Sequence, residues 1–170
     1  MLVSVPDFQD WHDQSKAFAA MSLYTSFAAP LKAGVTAEYA EAAAVTPEFF
    51  DVFQLRAAQG RLFNAGDYLG SDTANVAVIG ESYWRSRFGA NPRILGQAIR
   101  LSDAVLTIVG VLPGEFRFPG KTEIWVPLHL RYKLGRGAHN FLAVGRIHSE
   151  LGVEAAQSQM TAIGARLEQQ

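Results

Sequence analysis

Apolar residues at the start of the chain recur at helix spacing. Ser4, Pro6 and Asp7 form a helix-start signal: a capping hydroxyl, then a proline and an acid in the first turn. Phe8, Trp11, Phe18 and Met21 follow, which predicts one apolar stripe along an amphipathic helix. Residues 22–28 alternate small or polar side chains with Leu23, Tyr24 and Phe27 and predict a strand; 30–34 predict a turn. Residues 35–45 carry two patterns. Val35, Ala37 and Tyr39 alternate with Thr36 and Glu38, as in a strand, while the alanine run favours helix. The clean helix start at Thr46-Pro47-Glu48 decides for strand, and the short helix after it carries Phe49, Phe50 and Phe53.

Farther along, a polar loop over 64–75 precedes a short buried strand, 75–79. Gly80-Glu81-Ser82 opens a helix with Tyr83, Trp84 and Phe88, closed by Gly89. Strands over 97–101 and 105–111 meet at Ser102-Asp103 as a hairpin, and a further strand covers 124–127. Residues 131–140 are basic and glycine-containing, an exposed loop. A strand over 141–147 and a helix over 153–167, with Ala156, Met160, Ile163 and Leu167 on one face, close the chain. Strands interrupted by helices without regular βα alternation predict an α+β fold.

Composition narrows the class. The 170 residues are 49% hydrophobic with a net charge of −1, which suits one globular domain and not a nucleic-acid binder. Residues 1–80 hold four Lys+Arg against nine Asp+Glu, net −5; residues 81–170 hold eleven against seven, net +4. There is no cysteine, so thiolate metal sites, disulfides and cysteine nucleophiles are excluded. The most apolar stretch, 104–113, is about half the ~20 residues a membrane-crossing helix needs. The first residues lack the basic-then-apolar pattern of a signal peptide. Either a cytosolic protein or a soluble piece of a larger one fits.

No catalytic constellation emerges. Gly120-Lys121-Thr122 invites a phosphate-loop reading, but position 115 is Glu where that loop needs Gly, and a strand pattern follows instead of a helix. Asp7, Asp10 and Asp13 read as an acidic helix start and lack the further oxygen ligands of a hard-metal site. His12, His129, His139 and His148 show no zinc-enzyme spacing. Gly80-Glu81-Ser82-Tyr83-Trp84 lacks the second glycine of a nucleophile elbow, so helix capping accounts better for Ser82. Two segments remain as a candidate partner-contact set: Phe116, Arg117 and Phe118, then Arg131, Lys133 and Arg136 in the basic loop. Packing under the sheet competes for the two phenylalanines, and a plain solvated face for the three cations. No cofactor is implied.

Ordered stretches of the chain nonetheless resemble a known family. They are Pro6-Asp7-Phe8-Gln9-Asp10-Trp11; Val45-Thr46-Pro47-Glu48-Phe49-Phe50-Asp51-Val52-Phe53 with Gly60-Arg61-Leu62-Phe63; residues 75–119; and Val144-Gly145-Arg146-Ile147 with the helix after it. Together they resemble the MacB-like periplasmic core domain of ABC transporter permeases, in the FtsX-like, duplicated orphan-permease type. The resemblance covers nearly the whole chain and carries no catalytic motif. It implies a single domain over 1–170, with a porter-like mixed α/β lobe from about 1–45 and 141–170. A mostly β lobe, about 46–130, is inserted into it. It also implies a non-catalytic domain on the periplasmic face of the inner membrane, set between two membrane helices of the permease. Such a domain couples movement across the membrane to periplasmic partners or cargo. The implied partners are the transmembrane helices, a second permease copy or half, and a separate cytoplasmic ATPase subunit. The alternative is a small-ligand-binding module with a cleft between its lobes.

Overall fold

The computed structural model describes residues 2–33, 35–69, 75–130 and 138–167. In chain order its elements are α1 (Val5–Gln14), β1 (Phe18–Ala33), β2 (Thr36–Val45), α2 (Phe49–Val52), β3 (Gln59–Gly60), a 3-10 turn (Ala65–Tyr68), β4 (Val76–Gly80), α3 (Glu81–Phe88), β5 (Ala98–Leu101), β6 (Ala104–Leu112), β7 (Ile124–Pro127), β8 (Leu142–Ile147) and α4 (Val153–Leu167). The fold is α+β, as the pattern predicts. One mixed sheet runs β2-β7-β4-β6-β5-β1-β8, and β2 also pairs with β1. Six strands therefore close into a ring, which leaves those strands few free edges.

β1 organises this sheet. Residues Phe18 to Tyr24 pair with β8, while Tyr24 to Ala33 pair with β2. Leu31 and Lys32 add β5 on the opposite edge from β2. The strand is far longer than the expected 22–28, and the turn expected at 30–34 shrinks to the hairpin tip. Pro30 is tolerated inside it because its carbonyl accepts from Ser102 N–H (2.7 Å) at the β5–β6 turn. The missing N–H lies on the same edge, at the end of the short β5 ladder, so at most the reciprocal bond to Ser102 is lost.

The helix stripe expected through Phe18 and Met21 is corrected likewise. α1 starts where expected: Ser4 Oγ accepts from Asp7 N–H at 3.2 Å, with a proline in the first turn. It ends at Gln14, because Ser15 is extended and the chain joins β8, with His148 N–H donating to the Ala17 carbonyl (2.9 Å). Phe8, Trp11, Phe18 and Met21 still meet in one cluster with Val3, Val5 and Leu23. The apolar signal is real; its carrier is a helix followed by a strand.

Ser82 is corrected too. α3 is capped at Gly80 without a side-chain bond, and the Ser82 hydroxyl instead accepts from Arg117 Nη2 at 3.0 Å. Gly89 closes α3 in the left-handed conformation (φ 57°), donating its N–H to the Trp84 carbonyl. Two further clusters fill the sheet. One holds Leu31, Ile79, Ile99, Ile108 and Ile124 with Tyr83 and Trp84 of α3; the other holds Tyr24, Val45, Phe49, Phe50, Leu112 and Trp125. Each fully buried large side chain contributes about 1.5–3 kcal/mol against exposure, which is what α2 and α3 supply to the sheet.

Candidate functional site

The sequence-derived contact set divides in two. Arg131, Lys133 and Arg136 lie outside the described residues. Phe116 and Phe118 are half-buried and face an aromatic cluster. Phe116 lies 5.0 Å from Phe53 and 5.8 Å from Trp125; Phe118 lies 5.1 Å from Phe53 and 5.2 Å from Tyr24, between ring centres. The backbone fixes the loop as well: Trp125 Nε1 donates to the Phe118 carbonyl (3.0 Å) and Thr122 N–H to the Arg117 carbonyl (3.0 Å). Arg117 holds Ser82 across to α3, and its Nε is buried without a hydrogen-bond partner. Burial raises the Glu123 carboxyl, while Arg117 and Arg87 pull the other way.

A second place draws together residues that the sequence leaves far apart. A cleft of about 670 Å³ lies among the end of α1, the first residues of β1, α2 with the turn after it, and β8. Its edge exists because β2 stops pairing at Tyr24, leaving the start of β1 without a strand on that side. Side chains finish the ladder there. Thr46 Oγ1 accepts from Leu23 N–H (3.0 Å) and Glu48 Oε2 from Met21 N–H (3.4 Å).

His12 closes one wall. It stands 3.2 Å from Glu48 Oε1 and 3.3 Å from Asp13 Oδ1. Burial works to lower the imidazole pKa, but the hydrogen bonds to Asp13 and Glu48 outweigh it and raise it above the ordinary histidine value. Arg146 of β8 forms another wall, with its Nε buried and unpartnered. Phe18, Met21 and Leu55 supply apolar surface, and Asp51 and Arg56 stand at the rim. Gln159 of α4 fixes the near end, accepting from Lys16 N–H (3.1 Å). In the sequence His12 stands out neither by zinc-enzyme spacing nor beside a nucleophile elbow. Glu48 lies 36 positions from it, so no local signal joins the two.

Among the described residues, no group of three or more His, Asp or Glu is placed to hold a metal ion. Nor is any described helix long and apolar enough to cross a membrane.

The sequence model of the MacB-like periplasmic core domain matches residues 3–169. A macrolide export ATP-binding/permease protein MacB from Burkholderia pseudomallei (strain 1710b) is 35% identical over 86 residues. That match covers 49% of this chain and 13% of the relative, so the chain corresponds to a small part of that protein. The periplasmic region of MacB from Actinobacillus actinomycetemcomitans superposes with a TM-score of 0.76 at 19% identity, covering 98% of this chain and 75% of that one. The extracellular domain of the noncanonic ABC-type transporter YknZ from Gram-positive bacteria gives 0.69 at 16% identity, covering 93% and 78%. At such identities the superpositions establish the shared fold.

Proposed function

This chain belongs to the MacB-like periplasmic core domain family, and from that premise we propose that it is the non-catalytic, extracytoplasmic domain of an ABC-type transporter permease. In that role it couples movement of the membrane helices to periplasmic partners or cargo. ATP hydrolysis then belongs to a separate cytoplasmic subunit, and a second permease copy or half faces this one. In this reading the lobe from about 1–45 and 141–170 and the lobe from about 46–130 share the one sheet, and Phe116, Arg117 and Phe118, with Arg131, Lys133 and Arg136, are the partner contacts.

The observation that carries this reading is the length and sharing of β1. Its 16 residues span about 50 Å at ~3.3 Å per residue. One end pairs with β8, beside α1 and α4; the other carries the β2 hairpin and touches β5. Arg166 of α4 donates to Gln14 of α1 (3.0 Å), so the first and last helices are tied together at the β8 end. A displacement entering through those helices reaches the far hairpin along one hydrogen-bonded strand. Close-packed interiors have low compressibility and transmit strain, so the element transmits movement.

Spin labels at Asp103→Cys, in the exposed β5–β6 turn, test this in the assembled transporter. Coupling predicts that the label–label distance between the two permease copies changes on going from nucleotide-free to ATP-trapped states. An unchanged distance distribution contradicts it. ATP hydrolysis by the isolated chain contradicts the non-catalytic assignment.

A further inference from the structure

We propose that the cleft bounded by His12, Glu48 and Arg146 is a binding site for a small molecule carrying a carboxylate on an apolar body. This rests on the cleft alone and stands apart from the coupling role. At about 670 Å³ the cleft falls within the range of small-molecule sites, roughly 300–1,000 Å³.

The charge inventory selects the ligand chemistry. Arg146 supplies a guanidinium, a cation that offers only donors. Its Nε is shielded from solvent and meets no acceptor. A buried donor left unmet is an unusual feature in a folded protein, and a ligand in the cleft meets it once the Arg146 side chain turns its guanidinium outward. Arg56 at the rim is a second guanidinium available to the same ligand. Glu48, a carboxylate in the lining, is already committed: His12 Nε2 meets one oxygen and Met21 N–H the other. It therefore neither answers Arg146 nor presents a bare negative charge to an incoming anion. A planar carboxylate is the acceptor that matches a guanidinium in geometry and charge. Phe18, Met21 and Leu55 then cover the hydrocarbon part. Asp51, also at the rim, adds a place for an ammonium group, so free carboxylates and amino-acid zwitterions share the recognised chemistry.

The test is a titration of the isotope-labelled 170-residue chain by NMR with two probes, 4-phenylbutyrate and phenylalanine, at millimolar concentration. The amide 4-phenylbutyramide serves as the uncharged control. Saturable shifts of the Phe18, Ala19, Met21 and Leu55 amides by either acid, and none by the amide, are expected; which acid binds more tightly separates the carboxylate from the zwitterion source. Arg146→Gln should weaken that binding at least about tenfold, since charge-assisted pairs are the strong ones. Arg56→Gln, at an exposed position, gives a second reading if Arg146→Gln fails to fold, with a smaller loss expected. Absence of saturable shifts with both acids overturns the proposal. So does equal binding of acid and amide, or shifts centred elsewhere in the chain.

Discussion

His12 on α1 and Glu48, the residue that leads into α2, meet at 3.2 Å and tie the first helix to the core-packed second one. Their bond carries a pH dependence of defined sign. The folded state raises the His12 pKa above its ordinary 6.5, so the stabilisation is fully present below that value. It is lost as pH rises through the folded pKa. Both side chains are about two-fifths exposed (43% each), so the contribution is at most about 0.5–1 kcal/mol. Thermal unfolding at pH 6 and pH 8 should show this loss in the parent chain and a smaller one in His12→Gln. Identical pH profiles for the two contradict it.

Thr46 substitutes for a missing strand. Its hydroxyl accepts from Leu23 N–H and sits 2.9 Å from the Ser22 hydroxyl, all of it buried. Thr46→Val keeps the shape and removes that oxygen. It should cost about 1–3 kcal/mol, the penalty of an unmet buried donor. Chemical denaturation measures it; a variant as stable as the parent excludes the role.

Gly110 of β6 faces the backbone of Arg61. A Cβ there would lie 2.0 Å from the Arg61 carbonyl oxygen, a neighbour that cannot swing away. Gly110→Ala should destabilise by about 1–3 kcal/mol, as overpacking does. It should also speed hydrogen exchange at Arg61 N–H, now bonded to the Val109 carbonyl at 2.9 Å. Unchanged protection at Arg61 contradicts this.

Ser102 turns the β5–β6 hairpin at φ 52°, a conformation that disfavours side chains. Ser102→Gly relieves that strain and keeps the N–H that bonds the Pro30 carbonyl. Subtracting the extra chain entropy of glycine leaves a gain of about 0.5–1 kcal/mol. At this size that is a rise in Tm of about 1–4 °C; a fall refutes the strain argument.

What the sequence made legible is local. Capping at Ser4, the Gly89 stop, the Ser102-Asp103 hairpin and the bounds of β7 and α4 each depend on residues within a few positions, and each is found where expected. The length of β1 was hidden, because its partners β8, β2 and β5 come from three separate stretches and Pro30 reads as a stop. Phe18 and Met21 kept helix spacing with Phe8 and Trp11 by accident of where α1 gives way to β1. The cleft was hidden for a related reason: it arises where a ladder ends, and a ladder's end leaves no motif.

The most direct test of the central claim is the side of the membrane on which this domain lies. The chain has no cysteine, so Asp103→Cys in an otherwise cysteine-free parent protein gives one thiol in an exposed turn. A membrane-impermeant maleimide applied to spheroplasts should label it fully before lysis. Labelling only after the membrane is broken would place the domain in the cytoplasm and contradict the extracytoplasmic permease role.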